Sequence, residues 1–136
     1  MRVFTESFAC QTKEPVNLID ITGEVEKIIS ESNLTEGVAV VFSPHTTTAV
    51  LVNENEPRLV EDFKGALKEI IPWDRSYDHN AIDSNASSHL VGAIVGCSAT
   101  FLISENQIDL GTWQSIFLVE LDGPRTRTVK VKIIGE

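Results

Sequence analysis

A chain of 136 residues is long enough for one sizeable hydrophobic core and short for two, so residues 1–136 are expected to form a single domain. With 42% hydrophobic and 23% charged residues the composition is globular, which excludes a mainly disordered or collagen-like chain, and no apolar run reaches the roughly 18–20 residues of a membrane-spanning helix. Eleven basic residues against twenty acidic ones leave a net charge of −9, which sets the chain against nucleic-acid phosphates.

The first residues, Met1-Arg2-Val3-Phe4-Thr5-Glu6, meet polar side chains at once and lack the apolar stretch of a secretory signal, so a cytoplasmic protein is expected. Val3 to Thr12 is rich in β-branched and aromatic residues and predicts a strand. Thr22 or Asp20 can cap a helix with Val25, Ile28 and Ile29 on one face, ending before a turn over Asn33 to Gly37. Val38 to Phe42 reads as a buried strand, and Thr47 to Val52, beyond Pro44, as another. Asn55 or Asn53 can start a second helix with Pro57 in its first turn, an apolar stripe of Leu59, Phe63, Leu67 and Ile70, and Pro72 as its stop.

Trp73 to Asn85 has no period and predicts a loop of a length that is uncommon unless functional. Ser84 or Asn85 then caps a short helix carrying His89, Leu90, Ala93 and Ile94 before Gly96. Three strand-like runs follow: Ala99 to Ser104, Ile108 to Leu110 continuing through Trp113 to Leu121, and Thr126 to Ile134. Turns at Glu105-Asn106-Gln107 and Asp122-Gly123-Pro124 separate them, so consecutive antiparallel strands are expected. The fold class is α+β, a mostly antiparallel sheet forming a small sandwich or open barrel with helices packed outside. Cys10 and Cys97 lie in apolar settings and are expected to be buried, unreactive thiols. Alternation over Arg125 to Lys132 would place several cations on one strand face, with Lys130 and Lys132 as solvated decoration.

Candidate chemistry begins with the histidines. His45 stands at a strand end, His79 in the irregular loop and His89 near a helix start, positions from which a rigid scaffold presents functional groups. Three imidazoles would leave a zinc ion one open position, as catalytic zinc requires, although ten residues between His79 and His89 is not a helical metal spacing. Near the C-terminus, period-two alternation puts Phe117 and Leu121 on one face and Gln114, Ile116, Leu118, Glu120 and Asp122 on the other. Glu120, Asp122 and Arg125 around one turn can hold a metal or orient a phosphate, or simply form a turn with a salt bridge. Glu54 and Glu56 suit a helix N-terminus, and the hydroxyls of Thr46, Thr47 and Thr48 can donate to phosphate or merely reflect strand composition.

The ordered set Pro44-His45-Thr46-Thr47-Thr48-Ala49, Asn53-Glu54, His79 with Asn85-Ala86 and Ser88-His89-Leu90, Gly111-Thr112-Trp113-Gln114-Ser115-Ile116, and Glu120-Leu121-Asp122-Gly123-Pro124-Arg125 resembles the YjbQ-like family, also called the secondary thiamine-phosphate synthase family. The resemblance implies a small α+β sandwich assembled as a homotrimer, its histidines gathered in a cleft. It also implies the joining of hydroxymethylpyrimidine diphosphate to thiazole phosphate with release of diphosphate. On that reading His45, His79, His89 and Glu120 are catalytic. The same three histidines hold a divalent metal, zinc by ligand type. Thr46, Thr47, Asn53, Gln114 and Arg125, the last with Arg127, contact the phosphorylated substrate. A metal-dependent phosphoester hydrolase and a non-catalytic trimeric binding module are the alternatives. The sequence departs from the family at Asn106, where glycine is usual; asparagine tolerates a left-handed turn, so only the stiffness of that hairpin is in question.

Overall fold

A computed structural model describes all 136 residues, and its strands form the two antiparallel sheets of a small sandwich. The larger sheet has the order β1 (Arg2–Gln11), β8 (Thr126–Gly135), β3 (Glu36–Phe42), β5 (Ser98–Ser104), β6 (Gln107–Ile108). The smaller has the order β2 (Asn17–Asp20), β7 (Ser115–Glu120), β4 (Thr48–Asn53). Only β5 and β6 form a hairpin between consecutive strands; β7 and β8, expected as neighbours, lie in different sheets. The run from Ile108 to Leu121 is interrupted by a turn at Gly111–Gln114, which lets the chain cross from one sheet to the other. Strand β2, absent from the sequence reading, is four residues long and is held by its pairing with β7.

Period-two alternation explains the layers. Val129, Val131 and Ile133 of β8, Ala39 and Val41 of β3, and Phe101 and Ile103 of β5 turn inward and meet Val50 of β4 and Ile116 and Leu118 of β7. Helix α1 (Thr22–Ser32) completes this core with Val25, Ile28 and Ile29, the face its spacing predicts. Each fully buried side chain of this kind stabilises by roughly 1.5–3 kcal/mol. On the other side of the small sheet, Leu18, Ala49, Phe117, Val119 and Leu121 form a second core under helices α2 (Pro57–Ile70) and α3 (Ala86–Val95).

The caps show where local reading stopped short. Asp20 accepts from the Thr22 backbone N–H (2.9 Å), but α2 is capped by Glu56, whose carboxylate accepts from Leu59 N–H (2.7 Å), not by Asn53 or Asn55. Its packed stripe is Val60, Phe63, Leu67 and Ile71: Phe63 and Leu67 hold the expected places, while Ile70 faces solvent, because Val60 and Ile71 lie on the same helical face at three- and four-residue spacing. The β5–β6 turn places Glu105 and Asn106 at positive φ (53° and 61°). Far from loosening that hairpin, Asn106 donates through Nδ2 to the carbonyls of Ile29 (3.0 Å) and Leu34 (2.8 Å), contacts that glycine lacks. In β8 the cations divide: Arg127 turns inward, whereas Lys130 and Lys132 point outward. Both thiols are free and neither is fully buried: Cys10 on β1, an edge strand, is half-buried, and Cys97 is exposed, since it lies in the bend between α3 and β5.

Candidate functional site

The strand pair β4–β7 has two ends, and the chemistry gathers at both. The register sets Thr48 opposite Glu120 at one end and Asn53 opposite Ser115 at the other. Five residues of strand, at about 3.4 Å each, separate the ends by ~17 Å.

At the first end lies a cleft of about 590 Å³. His45, Thr46 and Thr48 form one wall; His89, Gly92 and Ala93 of α3 form the other, with Cys97 at the edge. Helix α3 is tied to the end of β7 by Ser88 Oγ, which donates to the Leu121 carbonyl (2.5 Å), and to the segment after α2 by Ser87 Oγ, which donates to that of Pro72 (3.2 Å). Glycine at 92 permits the close approach without a shift: a Cβ there would stand 3.0 Å from the Thr48 carbonyl oxygen and 3.3 Å from that of Thr46.

The proton on His45 is placed by the backbone. Its Nε2 accepts from the Thr128 N–H (2.9 Å), which leaves the ring proton on Nδ1. Burial and then the nearby positive charge of Arg127 hold the ring below the usual histidine pKa. The Thr128 N–H acts in the same direction, because it can donate only to an unprotonated nitrogen. Beneath the cleft, Glu120 has no exposed surface. It accepts from Arg127 Nε (2.8 Å) and Nη2 (2.5 Å), from Thr12 Oγ1 (2.8 Å) and from the backbone N–H groups of Leu121 (3.0 Å) and Asp122 (3.1 Å). Burial pushes this carboxyl upward, but the hydrogen bonds from Arg127, Asp122 and Thr12 prevail and hold it below the usual carboxylate range. Arg127 also donates to Thr47 Oγ1 (2.8 Å), so Thr47, itself buried, serves the ion pair.

At the rim of the same end runs a second polar chain. The side chain of Arg125, half exposed, donates to the Asp122 carbonyl (2.7 Å) and lies 3.1 Å from its carboxylate. Asn85 donates to that carboxylate (2.9 Å), and its Oδ1 lies 3.1 Å from His79 Nε2. A carboxylate only accepts, which fixes the amide orientation and makes His79 Nε2 the donor. His79 meets His89 edge to face, with ring centroids 4.9 Å apart.

The structure therefore brings His79 to His89, and His89 to the cleft that His45 lines, but it does not gather the three as ligands. His45 Nε2 is engaged by Thr128, His79 Nε2 by Asn85, and no three His, Cys, Asp or Glu side chains converge on one point. In this arrangement the three histidines are therefore not a converged ligand set. Thr46 faces the cleft. Asn53 and Gln114 do not: with Val52, Glu54 and Trp113 they line a smaller cleft of about 300 Å³ at the far end of the strands. Sequence reasoning missed Thr12 and the bridging role of Asn85. Asn85 stands in the motif beside His89, whereas Thr12 reaches Glu120 across 108 residues and has no local signal.

Two packed antiparallel sheets, with α1 completing the core between them, α2 and α3 over the outer face of the smaller one and a histidine-lined cleft at a strand end, define an α+β sandwich protein. The sequence pattern of the family described as UPF0047 protein YjbQ-like matches residues 6–136. The chain belongs to this YjbQ-like family. It is 46% identical to a UPF0047 protein of Methanothermobacter thermautotrophicus over 136 residues, covering 100% of this chain and 95% of the relative. It is 36% identical to the UPF0047 protein YugU of Bacillus subtilis, covering 92% and 95%. Among solved structures it resembles a YbjQ-like protein of unknown function from Sulfolobus solfataricus, with a TM-score of 0.98 at 40% identity, covering 99% of each chain. A hypothetical protein from Aeropyrum pernix superposes with a TM-score of 0.95 at 42% identity, covering 98% and 99%. No helix of the chain is long and apolar enough to cross a membrane.

Proposed function

We propose that this chain is a cytoplasmic acid–base enzyme of phosphorylated small molecules, and that its reaction is the joining of hydroxymethylpyrimidine diphosphate to thiazole phosphate. The thiazole nitrogen attacks the pyrimidine methylene carbon; the new C–N bond replaces the C–O bond, whose electron pair leaves with diphosphate. The observation that carries this reading is the cleft with His45 and His89 on facing walls, and the polar chain that runs from Arg125 through Asp122 and Asn85 to His79, whose ring meets His89. His45 presents Nδ1–H, a donor suited to the oxygen on which negative charge grows as the C–O bond breaks. The guanidinium of Arg125, half exposed and held by Asp122, is the cation offered to the diphosphate. Glu120 acts through Arg127 and Thr47 as the support of the cleft floor, not as a base.

We further propose a homotrimer. Its support is the family resemblance and the bare outer face of the larger sheet, where Val3, Ile134, Val38 and Leu102 form one cross-strand row, with Val3 and Leu102 well exposed. Light scattering is expected to give three times 15.0 kDa.

The test of the reaction is incubation with both substrates, reading thiamine phosphate and diphosphate together. Formation of both, with His89→Gln lowering the rate by roughly 10²-fold or more, is the expected result. Release of phosphate from simple esters without thiamine phosphate would instead identify a hydrolase, and no turnover of either kind a binding module.

A further inference from the structure

The cleft at the far end of β4 and β7 has a chemistry of its own. Trp113 forms part of its wall and is 72% exposed, a large aromatic face that no other part of the chain covers. Beside it stand two primary amides whose orientation the backbone dictates. Gln114 Oε1 accepts from Gly111 N–H (2.8 Å), within a turn also closed by Gln114 N–H donating to the Gly111 carbonyl (3.0 Å). Asn53 Oδ1 accepts from Glu54 N–H (2.8 Å). With both oxygens engaged, each amide offers its NH2 as a donor. Both amides line the cleft, Asn53 from the last residue of β4 and Gln114 from the turn just before β7. The neighbouring polar residues are spent elsewhere: Asn55 on Asp20, and Glu56 on Arg58 and the Leu59 N–H. Glu54 is the acceptor that faces the cleft.

This set of groups selects its ligand by exclusion. A carboxylate in so small a cleft disfavours phosphate, and two amide donors are useless to a bare cation. Two donors, one anionic acceptor and an aromatic face together match a flat ring with acceptor atoms and an amino group on its edge. We propose that the Trp113 cleft binds an amino-substituted nitrogen heterocycle, its ring stacked on Trp113, its acceptors on the amide groups of Asn53 and Gln114, and its amino group on Glu54. Strand length places this site ~17 Å from the histidine cleft of the same chain. The ligand class includes the pyrimidine half of the substrate pair proposed above. The site is nevertheless argued from its own residues, and a binding test reads it without turnover.

Cytosine is the probe and uracil the control, since uracil carries a carbonyl where cytosine has the amino group and would set oxygen against the Glu54 carboxylate. Trp113 fluorescence is followed in a Trp73→Phe background, and calorimetry on the unaltered chain reads the same binding should that background fold poorly. Saturable quenching by cytosine is expected, with affinity for uracil lower by about tenfold or more. Asn53→Leu and Gln114→Leu should each weaken cytosine about tenfold while leaving the urea midpoint near that of the parent. Absence of cytosine binding up to its solubility, equal affinity for uracil, or unchanged affinity in the Asn53→Leu/Gln114→Leu double variant would each overturn the site. Loss of thiamine phosphate formation with intact cytosine binding would count against the reaction alone.

Discussion

Arg127 of β8 reaches from the larger sheet to Glu120 of β7 in the smaller one and grips its carboxylate through both Nε and Nη2. Neither side chain has appreciable contact with water. The pair thus ties the two layers of the sandwich together directly beneath the histidine cleft. Removing two charges from water costs several kcal/mol each, and the bidentate geometry, Thr12, Thr47 and two backbone N–H groups together offset that cost.

Breaking one half of this pair strands the other. Arg127→Met should therefore lower the unfolding free energy by roughly 3–5 kcal/mol in urea at neutral pH, and Arg127→Met/Glu120→Leu should recover much of the loss. A single variant within 1 kcal/mol of the parent would show that the pair contributes little.

His45 links stability to pH. Its folded pKa lies below the ordinary value of 6.5, so the unfolded chain binds the proton more readily. The stability it contributes is complete above pH 6.5 and declines as pH falls below 6.5 toward and through the folded pKa. The difference in urea midpoint between the parent and His45→Gln should shrink over that window. An NMR titration placing the His45 midpoint above 6.5 would contradict this account.

Gly92 sets the distance between the two walls of the cleft. A Cβ 3.0 Å from the Thr48 carbonyl forces α3 to give by a few tenths of an ångström, carrying His89 with it. Gly92→Ala should cost about 1–3 kcal/mol of stability. On the proposed reaction it should lower turnover more than it raises KM, because His89 moves relative to His45. A crystal structure of the variant with α3 unmoved would refute the mechanism of the effect.

Arg125 keeps one arm on Asp122 and half of its side chain in water. Exposed pairs contribute ~0–1 kcal/mol, so Arg125→Lys should barely change the melting temperature. It should weaken diphosphate binding by roughly 1–3 kcal/mol through loss of the forked donor, read by calorimetric titration. Unchanged affinity with a clearly lower melting temperature would make Arg125 a residue of the turn alone.

Local pattern by itself determined much of this protein. Spacing of Val25, Ile28 and Ile29 found α1 and its buried face; alternation from Phe117 to Leu121 separated the two sides of β7; and the α+β class followed from the order of elements. The motif set around His45, His89 and Trp113 pointed to the residues that line the two clefts. What only the tertiary structure decided depends on contacts distant in sequence. Strand β2 is too short to announce itself and exists through its pairing with β7. The assignment of β7 and β8 to different sheets follows from partners rather than from the turn between them. Glu120 looks like an available carboxylate in sequence because nothing nearby reveals that Thr12, 108 residues away, and Arg127 close around it. Likewise Asn53 and Gln114 share a motif set with the histidines yet lie a strand's length from them, because the extended chain that joins them cannot fold back on itself.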